Sequence, residues 1–174
     1  MMLKNKKVFF LLLFLTLIFL LSGCNDNAKQ NVVNHYLLLQ GESETWSLTG
    51  YEVMLTPEKF KAGNGVLKMR YEENYLSEYF QFDTHAIING EDVTVHSISA
   101  EYLNSENVGM DITEQHIMGM EMEKRLNANG NPITPKDINV IYMIVKWKDM
   151  NKGEYVEERI DLYNSQNKEN AFLE

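Results

Sequence analysis

Residues 78–102 read EYFQFDTHAIINGEDVTVHSISAEY, and this stretch decides the fold. Asn89-Gly90 divides two runs in which apolar and polar residues alternate, and an Asn-Gly pair between such runs is the strongest short signal for a two-residue type I′ hairpin turn. With those two residues as the loop, Ile88 faces Glu91, Phe82 faces Ser97 and Asp83 faces His96. Phe80, Phe82, Ala86, Val93 and Val95 then share a core face, and Gln81, Asp83, His85, Thr94 and His96 share a wet one. Alternation on both arms agrees with a single register, as a half-buried hairpin requires. The predicted Asp83–His96 pair lies on the wet face, where it would favour a protonated imidazole and respond to pH, with His85 one side-chain step away.

Strand signals continue on both sides. Tyr36-Leu37-Leu38-Leu39 is a short apolar run ended by Gly41-Glu42-Ser43. From Thr45 to Thr56 the apolar positions are Trp46 and Leu48, then Tyr51, Val53 and Leu55, so the parity shifts by one and predicts a bulge at Thr49-Gly50. Thr56-Pro57-Glu58-Lys59-Phe60 reads as a turn, and Gly63-Asn64-Gly65 as a second break before Val66 to Tyr71. Val140 to Lys148 is apolar on both faces and predicts a central strand; 149–154 turns the chain, and Tyr155 to Tyr163 returns with Val156, Ile160 and Leu162 on one face. Residues 113–127 admit two readings: a helix capped by Thr113, with Met118, Met122 and Leu126 on one face, or a strand in which 118–123 alternate. Seven or eight short strands with at most one short helix make the expected class all-β, an antiparallel β-sandwich. An immunoglobulin-like order is compatible with this, although the Cys…Trp…Cys core of antibody domains is absent.

The chain has 174 residues, enough for one domain, with 16 Lys+Arg against 25 Asp+Glu and a net charge of −9. Its single cysteine, Cys24, forbids an intrachain disulfide and a cysteine-rich zinc cage. Met1 to Lys7 carries three lysines and no acid, Val8 to Leu21 is apolar except for Thr16, and Leu21-Ser22-Gly23-Cys24 follows. These are the parts of a secretory signal, and the apolar run, about 21 Å long as a helix, falls short of a bilayer core of about 30 Å. Removing residues 1–23 takes away three cations and no anion, leaving 13 basic and 25 acidic residues, net −12. Nucleic acid is not an expected partner of such a surface.

Leu21-Ser22-Gly23-Cys24 resembles the lipobox of bacterial lipoproteins. That resemblance implies diacylglycerol attached to the sulfur of Cys24, cleavage before it, and residence at the outer face of the cell membrane. The expected organisation is therefore a signal peptide over 1–23, a polar tether over 24–34, a sandwich over 35–165 and a polar tail over 166–174. Gly41-Glu42-Ser43-Glu44-Thr45-Trp46, with Gly50-Tyr51-Glu52-Val53 and Gly63-Asn64-Gly65, resembles a group of small uncharacterised lipoproteins of Firmicutes that open with a Gly-Glu-Ser-x-x-Trp segment. That group has no assigned activity, so the resemblance implies fold and location and adds no chemistry.

No nucleophile elbow, zinc-protease motif, phosphate loop or dinucleotide fingerprint occurs, and no enzyme activity or cofactor is expected. Asp149 to Glu154 only faintly resembles a calcium loop and reads as a hairpin turn. Trp46, beside two acids and two hydroxyls, reads as a core aromatic rather than a ligand platform. The expected function is a lipid-anchored, extracytoplasmic binding or interaction module of the cell envelope, with the membrane through Cys24 and an envelope protein as partners. The alternative is copper handling by 116–122, where His116, Met118, Met120 and Met122 would line one face of a regular strand and offer soft thioethers to Cu(I).

Overall fold

The computed structural model describes residues 34–102, 109–123, 125–127 and 129–167. The leader, Cys24 and the tether up to residue 33 lie outside the described residues. The strands are β1 (His35–Glu42), β2 (Trp46–Leu55), β3 (Lys59–Gly63), β4 (Val66–Met69), β5 (Leu76–Ser77), β6 (Tyr79–Ile88), β7 (Glu91–Glu101), β8 (Met110–Asp111), β9 (Glu114–His116), β10 (Met120–Glu123), β11 (Ile138–Asp149) and β12 (Glu154–Asn164). A 3₁₀ turn, Pro135–Asp137, precedes β11. No helix among the described residues is long and apolar enough to cross a membrane.

Two antiparallel sheets carry the fold. In the first, β2 pairs with β1 on one side and with both β3 and β4 on the other, and β10 and β9 extend those two. Trp46 pairs with Met69 and Leu55 with Phe60, while Lys68 pairs with Glu114 and Lys59 with Glu123. One register therefore runs through each gap, so β3 with β4, and β9 with β10, are single strand paths interrupted in the middle. The interruptions fall at Gly63-Asn64-Gly65 and Ile117-Met118-Gly119, level with the bulge in β2. There Leu39 pairs with Tyr51 but Gly41 with Leu48, so Thr49-Gly50 together oppose Gln40 alone, and Gly50 has φ +68°. The predicted bulge is thus one member of a fold line crossing the sheet. Inward residues switch parity at it: Leu48 gives way to Tyr51, and Ala62 to Leu67.

The second sheet runs β12-β11-β6-β7, with β11 central as predicted. Asn89-Gly90 forms the turn between β6 and β7, with φ +53° and +83°, and Asn89 N–H donates to the Asp137 carbonyl at 2.9 Å, pinning the turn to the 3₁₀ segment. The predicted register holds from Ile88↔Glu91 to His85↔Thr94 and then slips, because Thr84 pairs with His96. Val95 is the extra residue of a second bulge. Phe82 therefore faces Ile98, Asp83 faces Ser97, and the predicted Asp83–His96 pair does not form. His96 turns inward with Val95 and is 2% exposed.

The inner faces of the two sheets interlock as a sandwich. Trp46 of the first sheet lies between Phe80 and Trp147 of the second, at centroid distances of 5.7 and 5.6 Å. Leu48, Val53, Leu55 and Leu67 face Phe82, Met143, Val145 and Ile160 in one continuous core. Each such side chain contributes roughly 1.5–3 kcal/mol when fully buried. The strand order is not that of an immunoglobulin domain: β2 returns through Thr56-Pro57-Glu58 to β3 in its own sheet, where the second immunoglobulin strand crosses to the other sheet. Residues 114–116 and 120–123 are strands, so the helical reading of that stretch is corrected. Met118, Met122 and Leu126 are spaced by four, which keeps one face of a helix and of a strand alike, so periodicity could not separate the two.

Candidate binding face

The segment opening with Gly41 is a clasp between the sheets. A Cβ on Gly41 would lie 2.6 Å from the Asp161 carbonyl oxygen and 2.7 Å from Ile160 Cγ2, so only glycine lets β1 pass this close to β12. Ser43 Oγ accepts the Trp46 N–H at 3.1 Å, closing the turn. The Glu158 carboxylate on β12 accepts both the Thr45 N–H, at 2.9 Å, and the Thr45 hydroxyl, at 2.6 Å. Arg70 donates to the Ser43 carbonyl at 2.8 Å and pairs with Glu42 at 3.2 Å. Trp46 is fully buried, as expected, and its Nε1 has no hydrogen-bond partner among the described residues. Every one of these contacts serves folding.

His96 closes a buried polar bridge between the sheets. Tyr51 Oη on β2 lies 3.0 Å from Thr84 Oγ1 on β6 and 3.0 Å from His96 Nδ1 on β7. Burial pushes the Tyr51 phenol up and the His96 imidazole down, so both stay neutral. Asp83 instead accepts the Ser97 hydroxyl and the Gln81 amide on the outer surface.

The outer face of the second sheet carries the most organised chemistry. His85 Nδ1 lies 2.9 Å from Asp92 Oδ1, and Tyr142 Oη donates to Asp92 Oδ2. The His85 ring stacks on Tyr142 at 4.9 Å and 6°, and the Arg159 guanidinium lies 3.8 Å from the Tyr142 centroid, so the phenol is held between a ring and a cation. The Tyr142 hydrogen bond, helped by His85, keeps the Asp92 carboxyl below its usual range, although partial desolvation opposes this. Asp92 thus faces the Nδ1 edge of the His85 ring. These residues come from four adjacent strands. Sequence reasoning placed His85 on the wet face correctly but missed Asp92, Tyr142 and Arg159, whose only signal was a tyrosine within the apolar run of β11.

Further along this face, Tyr79 and Tyr155 meet edge to face at 5.3 Å, with Lys146 Nζ 5.9 Å from the Tyr155 centroid. Tyr79 Oη donates to Gln81 Oε1, and Gln81 Nε2 donates to Asp83 at 2.6 Å. A chain of hydrogen bonds thus runs along β6 to Ser97 on β7.

The methionine tract does not form one ligand face. His116 is exposed, 3.3 Å from Glu114, on the outer side of the first sheet. Met122, opposite Phe60, packs against the core, whereas Met120, opposite Ala62, is 40% exposed. Met118, at the fold line, is 77% exposed. The parity switch at 117–119 separates His116 from the later sulfurs, which an uninterrupted strand would have aligned. Beside it a cleft of about 270 Å³ is lined by Glu52, Met54, Lys61, Asn64, Met120 and Glu121, in part. Among the described residues, no three His, Cys, Asp or Glu side chains converge on a metal position. Asp149 closes the β11–β12 turn, its carboxylate accepting the Asn151 and Lys152 N–H groups at 2.9 and 3.3 Å. Burial would raise its pKa, but these bonds, with Tyr75 and the Lys152 side chain, outweigh burial and lower it.

Comparison with family models, with curated proteins and with solved structures finds no match to this chain.

Proposed function

We propose that this protein is a lipid-anchored, extracytoplasmic binding module of the bacterial cell envelope, tethered through Cys24 and presenting the outer face of sheet β12-β11-β6-β7 to an envelope component. The observation that carries the binding reading is the locked array of His85, Tyr142, Arg159 and Asp92. A surface whose side chains are already ordered loses less entropy on binding than a set of free ones. The lysine-rich leader, the short apolar run and the cysteine placed directly after it support the location.

Cosedimentation of the acyl-free mature chain, residues 25–174, with washed envelope material tests this. Wild type is expected to be retained, and the double variant His85→Ala/Arg159→Ala to lose about tenfold in affinity, equivalent to about 1.4 kcal/mol. Equal retention of the two folded proteins would overturn the assignment of this face.

A further inference from the structure

We propose that the ligand of this face is a neutral, polyhydroxylated glycan chain, an inference that rests on the binding-module reading above. Charge is the first argument. The cations on the face each have an acid partner: Arg159 with Asp161 at 2.7 Å, Lys146 with Glu157 at 3.9 Å, Lys148 with Glu78, and His85, when protonated, with Asp92. What this leaves is hydrogen-bonding capacity with no cation to spare among the described residues, since Asp83 is held only by Gln81 and Ser97, and such a surface suits a polar chain that brings no negative charge of its own. A phosphate-rich polymer needs cations in excess, and the mature chain carries net −12.

The second argument is the pattern of groups. Gln81, Asp83 and Ser97 present an amide, a carboxylate and a hydroxyl already oriented by one another. Each retains lone pairs or hydrogens for the vicinal hydroxyls of a sugar, which both donate and accept. Tyr155 is 59% exposed, meets Tyr79 edge to face and has Lys146 Nζ 5.9 Å from its centroid, so its exposed part is a positioned apolar surface for the C–H face of a sugar ring. From Tyr79 to His85 the row extends along β6 for about 20 Å, at roughly 3.3 Å per residue, long enough for an extended chain of several sugars. A peptide joining this fold as an added strand would use a sheet edge rather than the flat of the sheet.

Titration of the acyl-free chain with neutral hexasaccharides, β-1,4-linked glucose and β-1,4-linked N-acetylglucosamine, followed by backbone-amide NMR, tests the proposal. Expected are saturable shifts confined to β6, β7, β11 and β12 with at least one of the two, and a loss of about tenfold in affinity in Tyr155→Ala and in Asp83→Ala. Tyr155 is exposed and Asp83 half-buried on the outer face, so thermal unfolding is measured to identify variants that remain folded. No shift with either glycan at millimolar concentration, or shifts indifferent to both substitutions, would overturn the proposal. Should glycans fail while envelope retention still depends on His85 and Arg159, the face binds an envelope component of another class and only the glycan inference falls. Failure of both experiments removes both readings.

Discussion

His96 sits 2% exposed with Nδ1 on Tyr51 Oη, and burial holds its pKa below the ordinary value near 6.5. The folded chain keeps this ring neutral where the unfolded chain would protonate it. Its contribution to stability is therefore intact above about pH 6.5 and is lost as the pH falls below that value, with a limiting slope of about 1.4 kcal/mol per pH unit. Urea midpoints measured from pH 7.5 to 5 are expected to fall more steeply in wild type than in His96→Gln, which cannot take up that proton. Parallel curves would show that His96 does not titrate on unfolding. Glu158 makes the second residue-scale prediction. Its loss in Glu158→Ala leaves the Thr45 N–H without its acceptor, and a cost of about 1–3 kcal/mol is expected in the same assay. The inward turn of His96 was partly legible: the apolar parity of β7 moves from Val93 and Val95 to Ile98 and Ala100. No glycine marks that switch, and a histidine on a regular strand reads as wet.

The fold line is the corresponding device among elements. Three neighbouring strand paths change parity at one level, so the first sheet bends there while every pair keeps its partner. Gly63 has φ +134°, and a Cβ on it would lie 2.6 Å from both Gly119 Cα and the Met118 carbonyl oxygen. Gly63→Ala is therefore expected to force β10 away from β3 and to destabilise the chain by about 2–3 kcal/mol, with amide exchange at 120–123 accelerating most. Unaltered exchange at those residues would contradict the close packing of the two paths. The bulge at Thr49-Gly50 was readable because β2 carries buried apolar residues on both sides of it. The switch at 117–119 was not, since the strand beyond it alternates methionine with glutamate at a sheet edge and is satisfied by either face.

At the scale of the whole molecule, two four-path sheets enclose one core and leave a polar, aromatic face outward. The class of fold was legible because hairpin, bulge and central strand each announced themselves locally. The face was not: His85, Asp92, Tyr142 and Arg159 meet only because β6 lies between β7 and β11, and β11 lies beside β12. Pairing order across separate segments leaves no trace in local periodicity. Location, by contrast, rests wholly on the sequence of the leader, where a thiol follows the one long apolar run. Two acyl chains on that thiol would hold the acidic domain at the membrane far more firmly than one. Metabolic labelling with a tagged fatty acid, comparing wild type and Cys24→Ala in bacterial cells, tests this most directly. Expected is a labelled wild type shortened by its leader and an unlabelled, full-length variant; equal labelling and processing of the two would contradict a lipid anchor at Cys24.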